Sequence, residues 1–522
     1  MTGDAGTLPL RETPHDGIRT RVVRRLPRRK GAGALAGTES RVLAGTVALL
    51  AIVILSLLVV LMAANRPSLL APTTHTNYYP RWMAGPLGGF WPSLTSNSTT
   101  LKYLFTGAIV VMYGGYLVAL RAAPRLPARW IIAAILAVHA IFLLSPPLAL
   151  TDIFNYINYG RMAVVHHLNP YTTIPISEPH GDPAFILSNW HQLLSPYGPM
   201  FTLLTFAVVP LGVGGSFWAL KGILVLASLA TIMLVWKCAR LLGRDPRAAV
   251  VLVGLNPIVL VWGLGGDHND FLMLLGIMLG FYLLLRAHGG VVAVEADDPP
   301  GLRRAGLRGL VLPLSATELG AGAAFVAATS VKASAGVLIP VVLAGLLHAP
   351  RRLVQVLIGM FLAGAVVGAA SLVAFGLHIP DLSTQSRVVT LESVPNLIGL
   401  AIGAGGETEF IHRLMSVALG VSLVLCCWFA WRRRETLTAE GWASVALLVT
   451  LGWVLPWYVV WILPLAALSA SRRLRATALA LGVYLIIAWA PVSGLVWNAI
   501  GFHPEKTSIG RLHQRYVREL LH

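Results

Sequence analysis

Two short stretches carry more ionisable groups than their apolar surroundings explain. The first, TDIFNYINYGRMAVVHHLNPY (151–171), follows an apolar run at once and holds Asp152, Arg161, His166 and His167. The second, GGDHND (265–270), holds Asp267, His268 and Asp270. A lone Lys332 lies among small residues in AATSVKASAGVLIP. Ionisable groups beside apolar runs of this kind are costly, and they mark function more often than not. A carboxylate can take a proton from an attacking hydroxyl. A lysine or arginine can hold a phosphate. Asp267 and Asp270, at i and i+3, can steer an acceptor hydroxyl or hold a divalent ion. One histidine beside two carboxylates is only a weak metal signal.

Each of these has a plainer reading. If 151–163 is helical, Thr151 caps it, and Asp152, Tyr156 and Gly160 share one face, with the glycine admitting something bulky. Asp152 would equally suit the positive end of a surface helix. In GGDHND, Asn269 or Asp267 would serve as an ordinary cap. Lys332, Arg161 and Arg387 would snorkel to the surface. His180 and His191 read as solvated loop histidines. WVLPWYVVW (453–461) places three Trp and one Tyr together. They suit an aromatic belt, or a sugar or lipid groove that includes Trp457 and Tyr458. Cys238, Cys426 and Cys427 lack metal-ligand spacing and read as packing.

The elements that must position these groups are membrane helices. The chain has 522 residues, 56% hydrophobic and 12% charged, with a mean hydropathy of +0.72. That excludes an ordinary soluble domain and a disordered chain. The net charge of +18 sits largely in short Arg blocks at the ends of apolar runs, which set orientation. Nucleic acid is therefore not expected as a partner. Starting inside from RTRVVRRLPRRK, the charge rule lays down about thirteen crossings between residues 42 and 493. Residues 149–216 form an external loop, with one Arg and no Lys. Within it, 200–212 is expected to lie at the outer surface or re-enter, because it is shorter than the roughly 20 residues of a span. A helix over about 217–236 then returns. The divisions are a basic disordered cytoplasmic tail (1–41), two extra N-terminal helices (42–128), a catalytic module (129–493) and a basic C-terminal segment (494–522). This topology collects Asp152, Arg161, His166, His167, Asp267, His268, Asp270 and Lys332 on one membrane face. No phosphate-cradling Gly-rich loop is present, so a glycosyl or phosphoryl donor must be lipid-borne.

On TDIFNYINYGRMAVVHHLNPY, SPYGP (195–199), NPIVLVWGLGGDHNDFLM (256–273), SVKAS (330–334) and LPWYVVWILPL (455–465), the chain resembles the membrane-embedded GT-C glycosyltransferases. It is most similar to the actinobacterial polyprenol-phosphate-mannose-dependent α-1,6-mannosyltransferases that build lipomannan. The resemblance covers roughly residues 129–470. It implies an all-α polytopic fold with a structured first external loop in the catalytic module. It also implies an inverting transfer of mannose from polyprenyl-phosphate mannose to a lipid-linked α-mannan, on the outer face of the plasma membrane. In that scheme Asp152 is the base, and Lys332 and Arg161 bind the donor phosphate. Tyr156, Asp267, His268 and Asp270 orient acceptor or base. No cofactor is required, and a divalent metal is left open. The rival readings are the same fold with an arabinofuranosyl or glucosyl donor, and a lipid or solute transporter using the same charges as a path.

Overall fold

A computed structural model of the chain describes residues 32–64, 80–90, 97–148, 152–287 and 313–521. The expectations for the N-terminal tail up to residue 31 and for the Thr151 cap lie outside these residues. Among them the secondary structure is helical throughout, with no strand. In chain order the helices are α1 (Ala32–Ala63), α2 (Ser98–Ala122), α3 (Ala128–Leu143), α4 (Asp152–Val164), α5 (Pro183–Leu187), α6 (Pro199–Val208) and α7 (Gly212–Leu241). There follow α8 (Pro246–Gly254), α9 (Asp270–Ala287), α10 (Ala316–Val331), α11 (Ile339–Leu346), α12 (Pro350–Phe375), α13 (Ser383–Ser386) and α14 (Val394–Ala401). The last are α15 (Glu409–Arg433), α16 (Thr436–Thr450), α17 (Leu463–Leu468), α18 (Arg472–Trp489), α19 (Ser493–Ala499) and α20 (Ser508–Leu521).

Among the described residues six helical stretches are long and apolar enough to cross a bilayer: Glu39–Ala63, Thr99–Arg125, Pro199–Leu241, Asp270–Ala287, Pro350–Phe375 and Glu409–Arg433. The pair α18–α19, bent by 76°, adds a seventh if it forms one span. The chain is thus an all-α polytopic membrane protein. Other apolar helices, such as Ala128–Leu143, Ala316–Val331, Ala333–Leu346 and Pro456–Leu468, are shorter. They account for the difference from the expected thirteen or so crossings. Lys332 and Pro456 interrupt them, and such breaks are tolerated where protein covers the backbone. Pro456–Leu468 is indeed buried along its whole length.

Residues 200–212, expected to lie at the outer surface or to re-enter, form α6 and a tight turn ending at Gly212. There a φ of +70° breaks the helix before α7. α7 is longer than its expected 217–236 and carries Lys221 near its start.

α10 packs between α9 and α12. A Cβ on Gly322 would stand 2.1 Å from the Val356 carbonyl oxygen, and one on Gly359 would stand 2.1 Å from that of Leu319. The two backbones can lie this close only without side chains at these positions, which is the small-residue logic of membrane helix packing. Arg352 on α12 bonds Glu318 on α10 at 3.2 Å and the Leu284 carbonyl at 2.8 Å, fastening all three helices. By contrast α12 and α15 are only 11% buried over their most apolar windows, so they face lipid. At the C-terminus, α20 folds back. Gln192 donates to the Leu520 carbonyl at 3.1 Å, and His513 Nε2 lies 3.1 Å from the Glu407 carbonyl. The C-terminal segment therefore covers the loops beside α4 and α14.

Candidate active site

Asp152 opens α4, and the helix frame turns Tyr156 into the same cavity. The Tyr156 ring is held edge-on by Tyr197 and Phe201, with centroids 4.8 and 4.9 Å away. Gly160, on the same face, meets the backbone of Thr205, where a Cβ would come within 2.9 Å of the carbonyl oxygen. The bulky neighbour that this glycine admits is α6. Phe154 stacks on Phe217 of α7 at 5.7 Å, which fixes α4 against α7.

The GGDHND segment follows a π-helical turn, Val259–Leu264, a distortion that recurs at functional sites. Leu148 donates to the Gly265 carbonyl at 2.7 Å, tying the segment to the end of α3. Asp267 adopts a φ of +58°, in the left-handed region, and accepts from Lys221 Nζ at 2.7 Å. Next, the His268 ring stacks on Trp457 at 3.5 Å, and its Nδ1 lies 3.3 Å from Asp152 Oδ2. Asp270 receives Lys332 Nζ at 2.8 Å and the Trp461 indole N–H at 2.5 Å. Lys332 also lies over the Tyr458 and Trp461 rings, 5.1 and 5.6 Å from their centroids.

These contacts converge on a cavity of about 450 Å³. Asp152, Tyr156, Lys332, Trp457 and Tyr458 line it. Asp267, His268 and Asp270 stand behind that wall. His268 and Asp270 touch the lining groups Asp152 and Lys332, while Asp267 is paired with the buried Lys221, and none of the three lines the cavity itself. The opposite wall is apolar, with Leu382, Met415, Leu419, Leu447 and Leu451 among its residues. A few polar atoms of the lining residues have no partner. The Trp457 indole N–H, the Asn155 amide nitrogen and both amide atoms of Gln385 are buried and make no hydrogen bond. Such atoms cost free energy until something polar meets them.

Arg161, expected at the donor phosphate, lies apart from these groups. It lies two turns beyond Asp152 and is absent from the cavity lining. Its Nε and Nη2 grip both oxygens of Asp182 at 2.8–3.0 Å, and His166 Nε2 reaches the same carboxylate at 2.8 Å. Burial pushes Asp182 up, but Arg161, the Ala184 N–H and His166 outweigh it and hold the group below the usual carboxylate range. Nearby, burial raises Glu178 to about 7 against an opposing hydrogen bond from Asn158. His191 is buried in stacked contact with Phe185 at 3.9 Å, and His180 stacks on the same ring at 4.5 Å, so neither is merely solvated.

Lys221 was not singled out from the sequence, although a lysine inside the apolar stretch FWALKGILVLAS is the signal that finds it. Asn155, Tyr159, Trp190, Tyr197 and Gln385 were missed as well. They are ordinary residue types whose position on one cavity depends on folding. Among the described residues no three His, Cys, Asp or Glu side chains group as a metal site. Asp267 and Asp270 each carry a lysine, so their donor set does not fit the divalent ion considered for GGDHND.

The fold and cavity define a membrane-embedded protein with a polar, carboxylate-bearing site beside an apolar groove. Comparison with known proteins specifies the class. A family model described as alpha-(1->6)-mannopyranosyltransferase, N-terminal domain, matches residues 41–348. A second, described as MptB C-terminal domain, matches residues 392–500. The chain belongs to the alpha-(1->6)-mannopyranosyltransferase family. It is 27% identical over 381 residues to alpha-(1->6)-mannopyranosyltransferase A of Mycobacterium tuberculosis, covering 67% of this chain and 68% of the relative. A second alpha-(1->6)-mannopyranosyltransferase of that organism is 29% identical over 399 residues, covering 65% of each chain. Alpha-(1->6)-mannopyranosyltransferase A of Corynebacterium glutamicum is 24% identical over 356 residues, covering 60% of this chain and 66% of the relative. The chain thus spans about two thirds of the length of these relatives. No solved structure gives a significant match.

Proposed function

We propose that this chain is a GT-C-type glycosyltransferase of about thirteen transmembrane helices, the shorter apolar helices included, that moves mannose from polyprenyl-phosphate mannose to a lipid-linked α-mannan. The reaction takes place at the extracytoplasmic face of the plasma membrane. Residues 129–493 are the catalytic module, 42–128 two added helices, 494–522 a basic end and 1–41 a cytoplasmic tail. The observation that carries the reading is that Asp152 and Lys332 line one cavity, each held by a group behind the wall.

Asp152 takes the proton of the acceptor hydroxyl as its oxygen bonds to the mannosyl C1. The bond from C1 to the phosphate oxygen breaks, and the phosphate departs with the electron pair. Lys332 meets the growing charge on that phosphate, and Asp270 and Trp461 hold the lysine in place. A polyprenyl phosphate is a good leaving group, so no strong general acid is needed. Attack from the side opposite the phosphate turns a β-mannosyl donor into an α product. Trp457 and Tyr458 offer rings to the sugar, and the Asn155 amide nitrogen and the Gln385 amide, which have no partner, offer hydrogen bonds to its hydroxyls. The apolar wall accommodates the start of the polyprenyl chain. His268 orients Asp152, and the Asp267–Lys221 pair braces the turn that carries His268.

The test is transfer of labelled mannose from polyprenyl-phosphate mannose to a short α-mannoside by the purified full chain, with linkage analysis of the product. An α-1,6 product supports the proposal. Transfer only from an arabinofuranosyl or glucosyl lipid would overturn the choice of sugar. Flux of lipid or solute without any glycosyl transfer would overturn the enzyme reading.

A further inference from the structure

A second cavity, of about 560 Å³, lies at the other end of α7. Lys221 and the last residue of α7 are separated by about 30 Å of helix, close to the thickness of a bilayer's hydrocarbon core. The turn at 243–245, α8 and the first turn of α18 border this cavity, with Leu120 of α2 on its wall. Arg244, Arg472 and Arg475 all line it, drawn together from distant parts of the chain. The carboxylate on the lining, Asp245, is engaged by Arg247 at 3.1 Å and caps the start of α8. Arg244 Nε is buried and has no hydrogen-bond partner.

Arginines that only orient a membrane protein extend fully into water, whereas Arg244 is half-buried and its Nε is shut off from solvent. Burial, joined by the neighbouring Arg475 charge, pulls its guanidinium below the ordinary value, and Glu435 works against that. Guanidiniums that share one cavity, one of them partly desolvated, make a stable arrangement when an anion sits between them. The rest of the lining is largely apolar, with Ala248, Leu252, Ala467, Leu479 and Leu120. Three arginines and a set of apolar side chains lining one cavity, about one bilayer thickness along α7 from Lys221, match a phosphate headgroup and its acyl chains.

We propose that this cavity binds an anionic membrane phospholipid, with Arg244, Arg472 and Arg475 gripping the phosphoryl oxygens and the acyl chains lying on Leu120, Leu252 and Leu479. The site is separate from the acid-lined cavity and does not rest on the reaction assigned there.

The experiment is native mass spectrometry of the delipidated full chain, titrated with dioleoyl phosphatidylglycerol and, separately, with dioleoyl phosphatidylcholine. The parent retains phosphatidylglycerol in preference to phosphatidylcholine. The variant R244Q/R475Q loses about tenfold or more of its phosphatidylglycerol affinity and keeps its phosphatidylcholine affinity. R244K/R475K falls between the two, because lysine keeps the charge and loses the paired hydrogen bonds. Arg472 is exposed at the rim, so R472Q tests the grip even if the double variant fails to fold, and a loss of about fivefold is expected. Equal phosphatidylglycerol binding by the parent and by R244Q/R475Q or R472Q overturns the proposal. Displacement of phosphatidylglycerol by millimolar inorganic phosphate at constant ionic strength assigns the pocket to a soluble anion and overturns the lipid.

Discussion

The two ends of α7 handle positive charge in opposite ways. At the end that carries the acid-lined cavity, Lys221 is bonded to Asp267 and Lys332 to Asp270. At the other end Arg244, Arg472 and Arg475 share a cavity whose carboxylate already serves Arg247. The paired end is near neutral and rigid, which suits chemistry that needs groups held in place before the substrate arrives. The unpaired end has charge left over for a ligand. The paired end is itself divided. Lys221 has a side chain with 0% exposure and can only brace Asp267, whereas Lys332 is 20% exposed and faces the cavity. Pairing alone therefore does not mark a ligand-binding cation, and access to the cavity separates the two.

The largest effect expected at the paired end is on catalysis. Asp152→Asn lowers the transfer rate by about 10²–10⁴-fold, while the protein folds and still binds donor. Full activity in that variant would remove Asp152 as the base. Lys221→Met leaves Asp267 buried without its cation, and thermal or chemical unfolding should show a loss of about 3–5 kcal/mol. Combining it with Asp267→Asn returns most of that loss, and no recovery would mean that the pair does not act as a unit. Lys332→Ala raises the donor KM about tenfold, the worth of a charge-assisted hydrogen bond. An unchanged KM would put Lys332 in the same bracing class as Lys221.

Smaller effects fall on the loop beyond α4. Arg161→Gln breaks the grip on Asp182 and costs about 1–3 kcal/mol of stability, with kcat unchanged. A rise in donor KM instead would restore Arg161 to phosphate binding. Glu178, raised by burial from 4.5 to about 7, favours its protonated form in the folded chain. The unfolded chain releases that proton first, so Glu178 takes stability away as pH rises from about 4.5 to about 7. Glu178→Gln keeps an acceptor for Asn158 and removes this drift. A melting temperature that falls equally in parent and variant over that window would exclude Glu178 as its source.

Much of the architecture is legible in the residue pattern because lipid imposes a simple rule: apolar runs become helices. The polar stretches around Asp152, at 265–270 and at Lys332 stand out against that background, and the structure brings them together. Arg161 stood out equally and went elsewhere, because its partner Asp182 comes from a loop with no periodicity to read. The reverse error applies to Lys221, which is hidden in an apolar run and becomes visible only once α7 lies against the GGDHND turn. The segments broken at Lys332 and Pro456 are also hard to read, since their length falls short of a span and only the surrounding protein makes them tenable.

The sequence by itself determined a multi-pass helical membrane protein, the abrupt placement of a carboxylate at residue 152, and the motifs that mark its family. Those follow from composition and local spacing, which need no knowledge of distant contacts. Only the tertiary structure decided which charges pair, which face a cavity and which support from behind. Such choices depend on Ångström-scale contacts between residues far apart in the chain. Asp152 beside His268, Lys332 beside Asp270, and Arg244 beside Arg475 are products of helix packing, and no local pattern encodes them.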